Sequence, residues 1–158
     1  MARVLVTGMS GAGKSTVLEE LRRRGVPTVD TDYDGWVLPD GTWDEGRMAV
    51  LLAAHHDLAV SGTVSNQGRF YDRFEQVVLL TAPLDVLLDR VRRRSNNPYG
   101  RTVQQQEEIR KYVEEVEPLL RDRATLELDG RLPIAHLADT LEPLVSTAPP
   151  SPVPSSAS

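Results

Sequence analysis

Apolar strand-like runs alternating with amphipathic helical segments predict an α/β fold: one five-stranded parallel sheet covered by helices on both faces. Two further observations support this class. A glycine-rich loop joins the first apolar run to the first helix, and polar residues of catalytic type collect where the runs end, the edge at which such sheets bind ligands. A length of 158 residues with 40% apolar and 26% charged side chains fits one ordinary globular domain.

The elements follow in order. Val4 to Thr7 reads as a buried first strand, and Thr16 to Arg24 as the helix behind it. Between them stands Gly8-Met9-Ser10-Gly11-Ala12-Gly13-Lys14-Ser15, the pattern G-x-x-x-x-G-K-[ST] in the strand–loop–helix setting it requires. The glycines let the backbone curl so that successive N–H groups converge on a phosphate at the helix N-terminus. Lys14 supplies a compact positive charge to the outer phosphates, and the Ser15 hydroxyl is placed to ligate Mg²⁺. The expected ATP site is therefore Gly8, Ser10, Gly11, Ala12, Gly13, Lys14, Ser15 and Thr16, with Arg90 from a later helix.

Gly25 ends the first helix, and Val26 to Val29 reads as a second strand running into Asp30-Thr31-Asp32. Two acids spaced i, i+2 lie on one side of an extended segment, so both are expected to face the phosphate loop. One of the two can hold Mg²⁺ through water while the other accepts a proton from a substrate hydroxyl. Residues 33–46 read as irregular, Glu45 to Ala54 as a helix, and Leu58 to Ser61 as the third strand. Many phosphate-loop NTPases end that third strand in an aspartate for Mg²⁺. Ser61 stands there in this chain, which shifts the charge requirement onto Asp30 or Asp32.

Glu75 to Thr81 is the fourth strand, and Pro83 opens a helix to about Arg94. The turn-rich segment of about 95–103 reads as a short lid bracketed by arginines. Arg94 and Arg101 are its expected catalytic pair, closing over the transferring group. A long helix spans Val103 to Arg121, with Ile109, Val113, Val116, Leu119 and Leu120 as its apolar stripe. Ala124 to Leu128 is the fifth strand and Ile134 to Val145 a closing helix. The domain is thus expected over residues 1–145, with a Pro- and Ser-rich tail at 146–158 that cannot bury a core and is expected to be disordered.

The acceptor side is expected to involve Asp32, Tyr33, Arg47, Gly62, Thr63 and Arg69, with Arg47 and Arg69 suited to an anionic substrate. Trp36 and Trp43 read equally as pocket walls or as core. The chain has no cysteine, which excludes disulfides and thiolate chemistry, and a net charge of −5 argues against nucleic acid. No apolar run reaches membrane-spanning length and no signal-type segment precedes the loop, so a cytoplasmic monomer or homodimer acting on a small molecule is expected.

On these residues the chain resembles the small phosphoryl-transfer kinases over about residues 1–145. Val29-Asp30-Thr31-Asp32 is similar to the D-x-D of shikimate kinases, and Leu80-Thr81-Ala82-Pro83 with Leu87, Arg90 and Arg94 to their run into the lid. Pro118-Leu119-Leu120 with Ala124 and Asp129 is similar to their approach to the last strand. Val116 stands where those enzymes have a carboxylate-gripping arginine, and Ser61-Gly62-Thr63 where they have a glycine triplet. A looser likeness extends to gluconate kinase-like and adenylate kinase-like phosphotransferases, the latter through Tyr33-Asp34-Gly35. The resemblance implies a three-layer P-loop NTPase fold with strand order 2-3-1-4-5 and γ-phosphate transfer from ATP to a metabolite hydroxyl, with Asp30 helping to hold Mg²⁺ and Asp32 beside the acceptor hydroxyl, which makes it the candidate base. Two alternatives stay open: a nucleoside monophosphate kinase, and a nucleotide-binding switch or ATPase with a protein partner.

Overall fold

The computed structural model describes residues 2–9, 11–93 and 102–145. Ser10, Arg94, Arg101, most of the expected lid and the expected tail lie outside them. Five strands, β1 (Arg3–Gly8), β2 (Thr28–Asp30), β3 (Leu58–Ser61), β4 (Gln76–Thr81) and β5 (Leu126–Asp129), form one sheet. The order is β2-β3-β1-β4-β5 and every pairing is parallel. Five α-helices lie among the described residues: α1 (Lys14–Arg23), α2 (Glu45–Ala54), α3 (Leu84–Arg93), α4 (Val103–Arg123) and α5 (Ile134–Val145).

Both sheet faces are buried, so the central strands are apolar at successive positions. Val4 and Val6 pack with Val17, Leu21, Leu137 and Leu141 from α1 and α5. Leu5, between them, points the other way, into Trp43, Met48, Leu52, Val60 and Phe70. Trp43 is fully buried, the core outcome of its two readings. Its indole meets Phe70 edge-on at 5.9 Å between centroids.

Several element boundaries differ from the sequence expectation, each for a local reason. β2 begins at Thr28, after Pro27, which has no N–H to give a ladder. The short 3-10 helix Gln67–Arg73, unforeseen in the sequence, has Phe70 buried and Gln67 enclosed. On α4, Ile109, Val113, Val116 and Leu120 form the inward stripe at i, i+4, i+7 and i+11. Leu119 is 68% exposed, because one residue is about 100° of helical rotation and carries it off that stripe. β5 starts two residues later than expected, since α4 runs on to Arg123 and Ala124 caps it.

Candidate active site

The C-terminal end of β1, at the middle of the sheet, delivers the chain into the phosphate loop. Gly8 has φ +151°, and a Cβ there would lie 2.4 Å from the Leu80 carbonyl oxygen of the neighbouring β4. Gly13 has φ +104° and passes directly into α1 at Lys14, two residues before the expected helix start. The loop therefore ends on a helix N-terminus, whose exposed N–H groups and partial positive charge favour a phosphate. Lys14 Nζ donates to the carbonyl oxygens of Gly8 at 2.6 Å and Met9 at 3.3 Å. The Thr63 hydroxyl, arriving from the end of β3, donates to Gly8 O at 2.6 Å and accepts from Gly8 N at 3.2 Å. Behind it, Gln67 donates to Thr7 Oγ1 at 3.1 Å, and Thr7 Oγ1 is 3.1 Å from Thr63 Oγ1.

Ser15, in the first turn of α1, donates its hydroxyl to Asp30 Oδ2 at 2.5 Å. Asp30 ends β2, and its other carboxylate oxygen accepts from the Asp32 amide at 3.1 Å. Ser61, its neighbour across the ladder at the end of β3, has a buried hydroxyl with no hydrogen-bond partner among the described residues. Thus the carboxylate that meets the phosphate-loop serine comes from β2, one strand outward from the usual aspartate position. A hydroxyl and a carboxylate are hard oxygen donors of the kind Mg²⁺ takes, so Ser15 and Asp30 fit that ion.

Two cavities flank the acidic segment. Asp32 lines one of about 420 Å³ with Gly8, Lys14, Thr63 and, from α4, Glu108 and Tyr112. Asp30 lines the other, of about 530 Å³, with Ser15, Tyr33, Trp36 and Arg47. Both acids thus stand beside phosphate-loop residues, Asp30 at Ser15 and Asp32 in the cavity with Lys14, but not by strand alternation: β2 stops at Asp30, and the chain turns there, Tyr33 N donating to Asp30 O at 3.2 Å. Extended alternation cannot put two carboxylates on one side of a turn.

The expected acceptor residues divide accordingly. Asp32 and Thr63 share the first cavity with Lys14, whereas Tyr33 and Arg47 belong to the second. Arg47 stacks on Trp36 at 4.0 Å and donates to the Asp34 carbonyl at 3.0 Å. Arg69 is 74% exposed, pairs with Glu45 at 3.6 Å and lines neither cavity. At Gly62 the close approach is by the protein itself: a Cβ would lie 2.3 Å from Thr31 Oγ1 and 3.2 Å from the Trp43 ring.

Arg90, on α3, donates to the carbonyl oxygens of Gly11 at 3.1 Å, Ala12 at 3.4 Å and Gly130 at 2.8 Å. It therefore ties the phosphate loop to the turn after β5. In that turn Asp129 is held down to about 2 by hydrogen bonds from the Arg131 side chain and backbone, with the charge of Arg90 adding to the effect. The β5 turn also abuts the loop directly, since a Cβ on Gly130 would lie 2.5 Å from Ala12 O.

The AAA domain family matches residues 4–113, from β1 to the middle of α4. The chain belongs to that family. The match takes in the phosphate loop, both acidic residues and the α4 residues of the smaller cavity. No curated protein matches the chain. Among solved structures, a shikimate kinase from Acinetobacter baumannii in complex with shikimate is similar, at 23% identity with a TM-score of 0.68, covering 92% of this chain and 93% of that one. A shikimate kinase from Bacteroides thetaiotaomicron is 21% identical with a TM-score of 0.68, covering 90% and 97%. A gluconokinase from Sinorhizobium meliloti is 18% identical with a TM-score of 0.57, covering 90% of each chain. The five-stranded parallel sheet in the order 2-3-1-4-5 with helices on both sides is the P-loop kinase fold.

Three parts of the site escaped the sequence reading. Glu108 and Tyr112 are spaced i, i+4 beside the buried Ile109, a signal that resembles any charged helix face until the cavity is known. Gln67 lies in the unforeseen 3-10 helix. Gly130 follows a parallel strand's carboxyl end, the position from which its contact with the loop was legible in principle.

Proposed function

We propose that the chain is an ATP- and Mg²⁺-dependent phosphotransferase acting on a hydroxyl of a small metabolite. The observation that carries this reading is the Ser15–Asp30 hydrogen bond at the mouth of the phosphate loop, with Lys14 and Asp32 sharing the adjoining cavity. In this reading the amides of the loop, Gly8, Ser10, Gly11, Ala12, Gly13, Lys14, Ser15 and Thr16, cradle the phosphates. Lys14 swings from its own loop carbonyls to the β- and γ-phosphates. Ser15 and Asp30 would hold Mg²⁺, which neutralises charge on the β- and γ-oxygens when bound.

Asp32 orients the acceptor and takes its proton as the oxygen–phosphorus bond forms and the bond from γ-phosphorus to the bridging oxygen breaks, leaving ADP. Arg94 and Arg101 close over the transferring group. Arg90 fixes the loop's curvature through Gly11 and Ala12 while ATP is bound. The acceptor side draws on Thr63 beside Asp32, with Tyr33, Arg47, Gly62 and Arg69 shaping the surrounding segments. No described helix is long and apolar enough to cross a membrane, which is compatible with a cytoplasmic monomer or homodimer.

The test is transfer of labelled γ-phosphate from ATP into small metabolites and into the common nucleoside monophosphates. The wild type is expected to form a phosphomonoester. Lys14→Ala should lose on the order of 10²–10³ in rate. Asp32→Asn should lose on the order of 10²–10⁴ while still binding MgATP. Full kcat in Asp32→Asn would remove the base role, and label appearing only in nucleoside diphosphates or only in inorganic phosphate would replace the reading itself.

A further inference from the structure

We infer that Gln67 is a positioning residue for the phosphate loop: through Thr7 and Thr63 it directs a one-way chain of hydrogen bonds that holds the Gly8 carbonyl while Lys14 engages the nucleotide. This rests on the nucleotide half of the function proposed above. Gln67 opens the 3-10 helix Gln67–Arg73, far from the loop motif in sequence, and is 2% exposed. Its side-chain amide is bonded at both ends, which fixes its orientation. The amide oxygen accepts from Val64 N at 2.9 Å, and the nitrogen donates to Tyr71 Oη at 2.8 Å and to Thr7 Oγ1 at 3.1 Å. Turned over, the amide would set its own N–H groups against the Val64 N–H.

The fixed amide decides the direction of the protons beyond it. A threonine hydroxyl has a single proton to give. Thr63 gives its proton to Gly8 O at 2.6 Å. The oxygens of Thr7 and Thr63 are 3.1 Å apart, so the proton between them is that of Thr7, which is itself buried and accepts from Gln67. The chain therefore runs from Gln67 to Thr7, to Thr63, to Gly8 O, each donor polarised by the one behind it. Thr63 Oγ1 also accepts from Gly8 N at 3.2 Å, so one hydroxyl clasps both polar groups of Gly8.

Gly8 is where this direction matters. Its carbonyl accepts from Lys14 Nζ at 2.6 Å as well as from Thr63, so two donors share the oxygen's two lone pairs. Lys14 is the loop's cation for the outer phosphates, and its turn toward them loosens its grip on Gly8 O. The proton of Thr63 stays behind, and the first peptide of the loop keeps its place. That peptide has little slack, since a Cβ on Gly8 would lie 2.4 Å from Leu80 O. Gln67 thus supports the loop from behind without touching the nucleotide, as an outer partner that locks an inner one.

The experiment is calorimetric titration of MgATP into the full chain at about pH 8, where an introduced carboxylate is ionised. Gln67→Glu keeps the side chain's size and the bond from Val64 N, but turns a donor into an acceptor. Thr7 must then point its proton at the carboxylate and Thr63 its own at Thr7, and Gly8 O loses its bond. MgATP affinity is expected to fall on the order of 10-fold, the scale of lost outer-shell partners. The fall should exceed that in Gln67→Met, which removes the donor without reversing the chain. In a Lys14→Ala background the penalty of Gln67→Glu should disappear, because no lysine leaves Gly8 O there. A packing role alone would make Gln67→Met the more harmful variant, and plain charge repulsion would persist without Lys14. Either result overturns the inference, as does wild-type affinity in Gln67→Glu. If Gln67→Glu fails to fold, Thr63→Val removes the last donor directly and must show the same loss with Lys14 and none without it. No MgATP uptake by the wild type overturns the nucleotide reading as well. Uptake with no transfer in the labelling test above overturns only the phosphotransferase reading.

Discussion

Asp129 and Arg131 make a forked ion pair at the turn that braces the phosphate loop. Arg131 Nε and Nη2 reach the carboxylate at 3.0 and 2.8 Å, and the Arg131 amide adds a bond of 2.9 Å. These bonds favour the ionised acid and depress its titration from 3.8 to about 2. A depressed acid stabilises the fold fully above its unfolded value and loses that contribution as pH falls toward its folded one. The Tm of Asp129→Asn should therefore lie below that of the wild type near neutrality, and the two curves should converge between pH 3.8 and about 2. Both residues are solvent-facing, so the gap will be small. Curves that stay parallel to the acid end would show that the pair contributes nothing to stability. At this scale the sequence is most legible where chemistry and position coincide: the motif and the end of the second strand mark Ser15 and Asp30, which meet in the structure. Arg47 and Arg69 were not legible, because an arginine's partner depends on tertiary neighbours, here Trp36 and Glu45, that local sequence does not order.

Among the elements, the irregular segment between β2 and α2 is held by one buried tryptophan. Trp43 Nε1 donates to Thr31 Oγ1 at 3.0 Å, and Thr31 donates its hydroxyl and its amide to the Ser61 carbonyl at 2.7 and 3.0 Å. The Trp43 backbone is clasped by Asn66, which accepts at 3.0 Å and donates at 3.2 Å. Thr31 lies between Asp30 and Asp32, so this bond fixes where both acids stand. Trp43→Phe keeps most of the ring but strips a donor from a buried acceptor, and should destabilise the chain by about 1–3 kcal/mol in urea unfolding. Thr31→Val removes the same bond from its other end. The double variant should cost clearly less than the sum of the singles, and strict additivity would mean that the bond is not the link. Helices and strands were legible because their apolar spacing is local; the 3-10 helix Gln67–Arg73 was not, since its stability comes from burying Phe70 under Trp43. The same limit hid the turn after Asp30, where a short edge strand ends and the period of two no longer applies.

For the whole molecule, the strand order β2-β3-β1-β4-β5 puts the phosphate loop at the sheet's centre. The carboxyl ends of β2 and β3 stand on one side of it and the turn after β5 on the other. Topology brings the loop and the two acids to one edge of the sheet, an edge that the alternation of strands and helices, together with one motif, makes legible in the sequence. β3 ends in Ser61, and from the adjacent edge strand Asp30 meets Ser15 directly; in the function proposed above, Asp30 takes the Mg²⁺ role that an aspartate on β3 would otherwise have. The measurement that tests this most directly is calorimetric titration of ATP into wild type and Asp30→Asn, each with and without Mg²⁺. The account predicts ATP uptake by the wild type that Mg²⁺ strengthens, with that Mg²⁺-dependent gain reduced on the order of 10–100-fold in Asp30→Asn. An equal Mg²⁺ gain in both proteins, or no ATP uptake by the wild type, would contradict it.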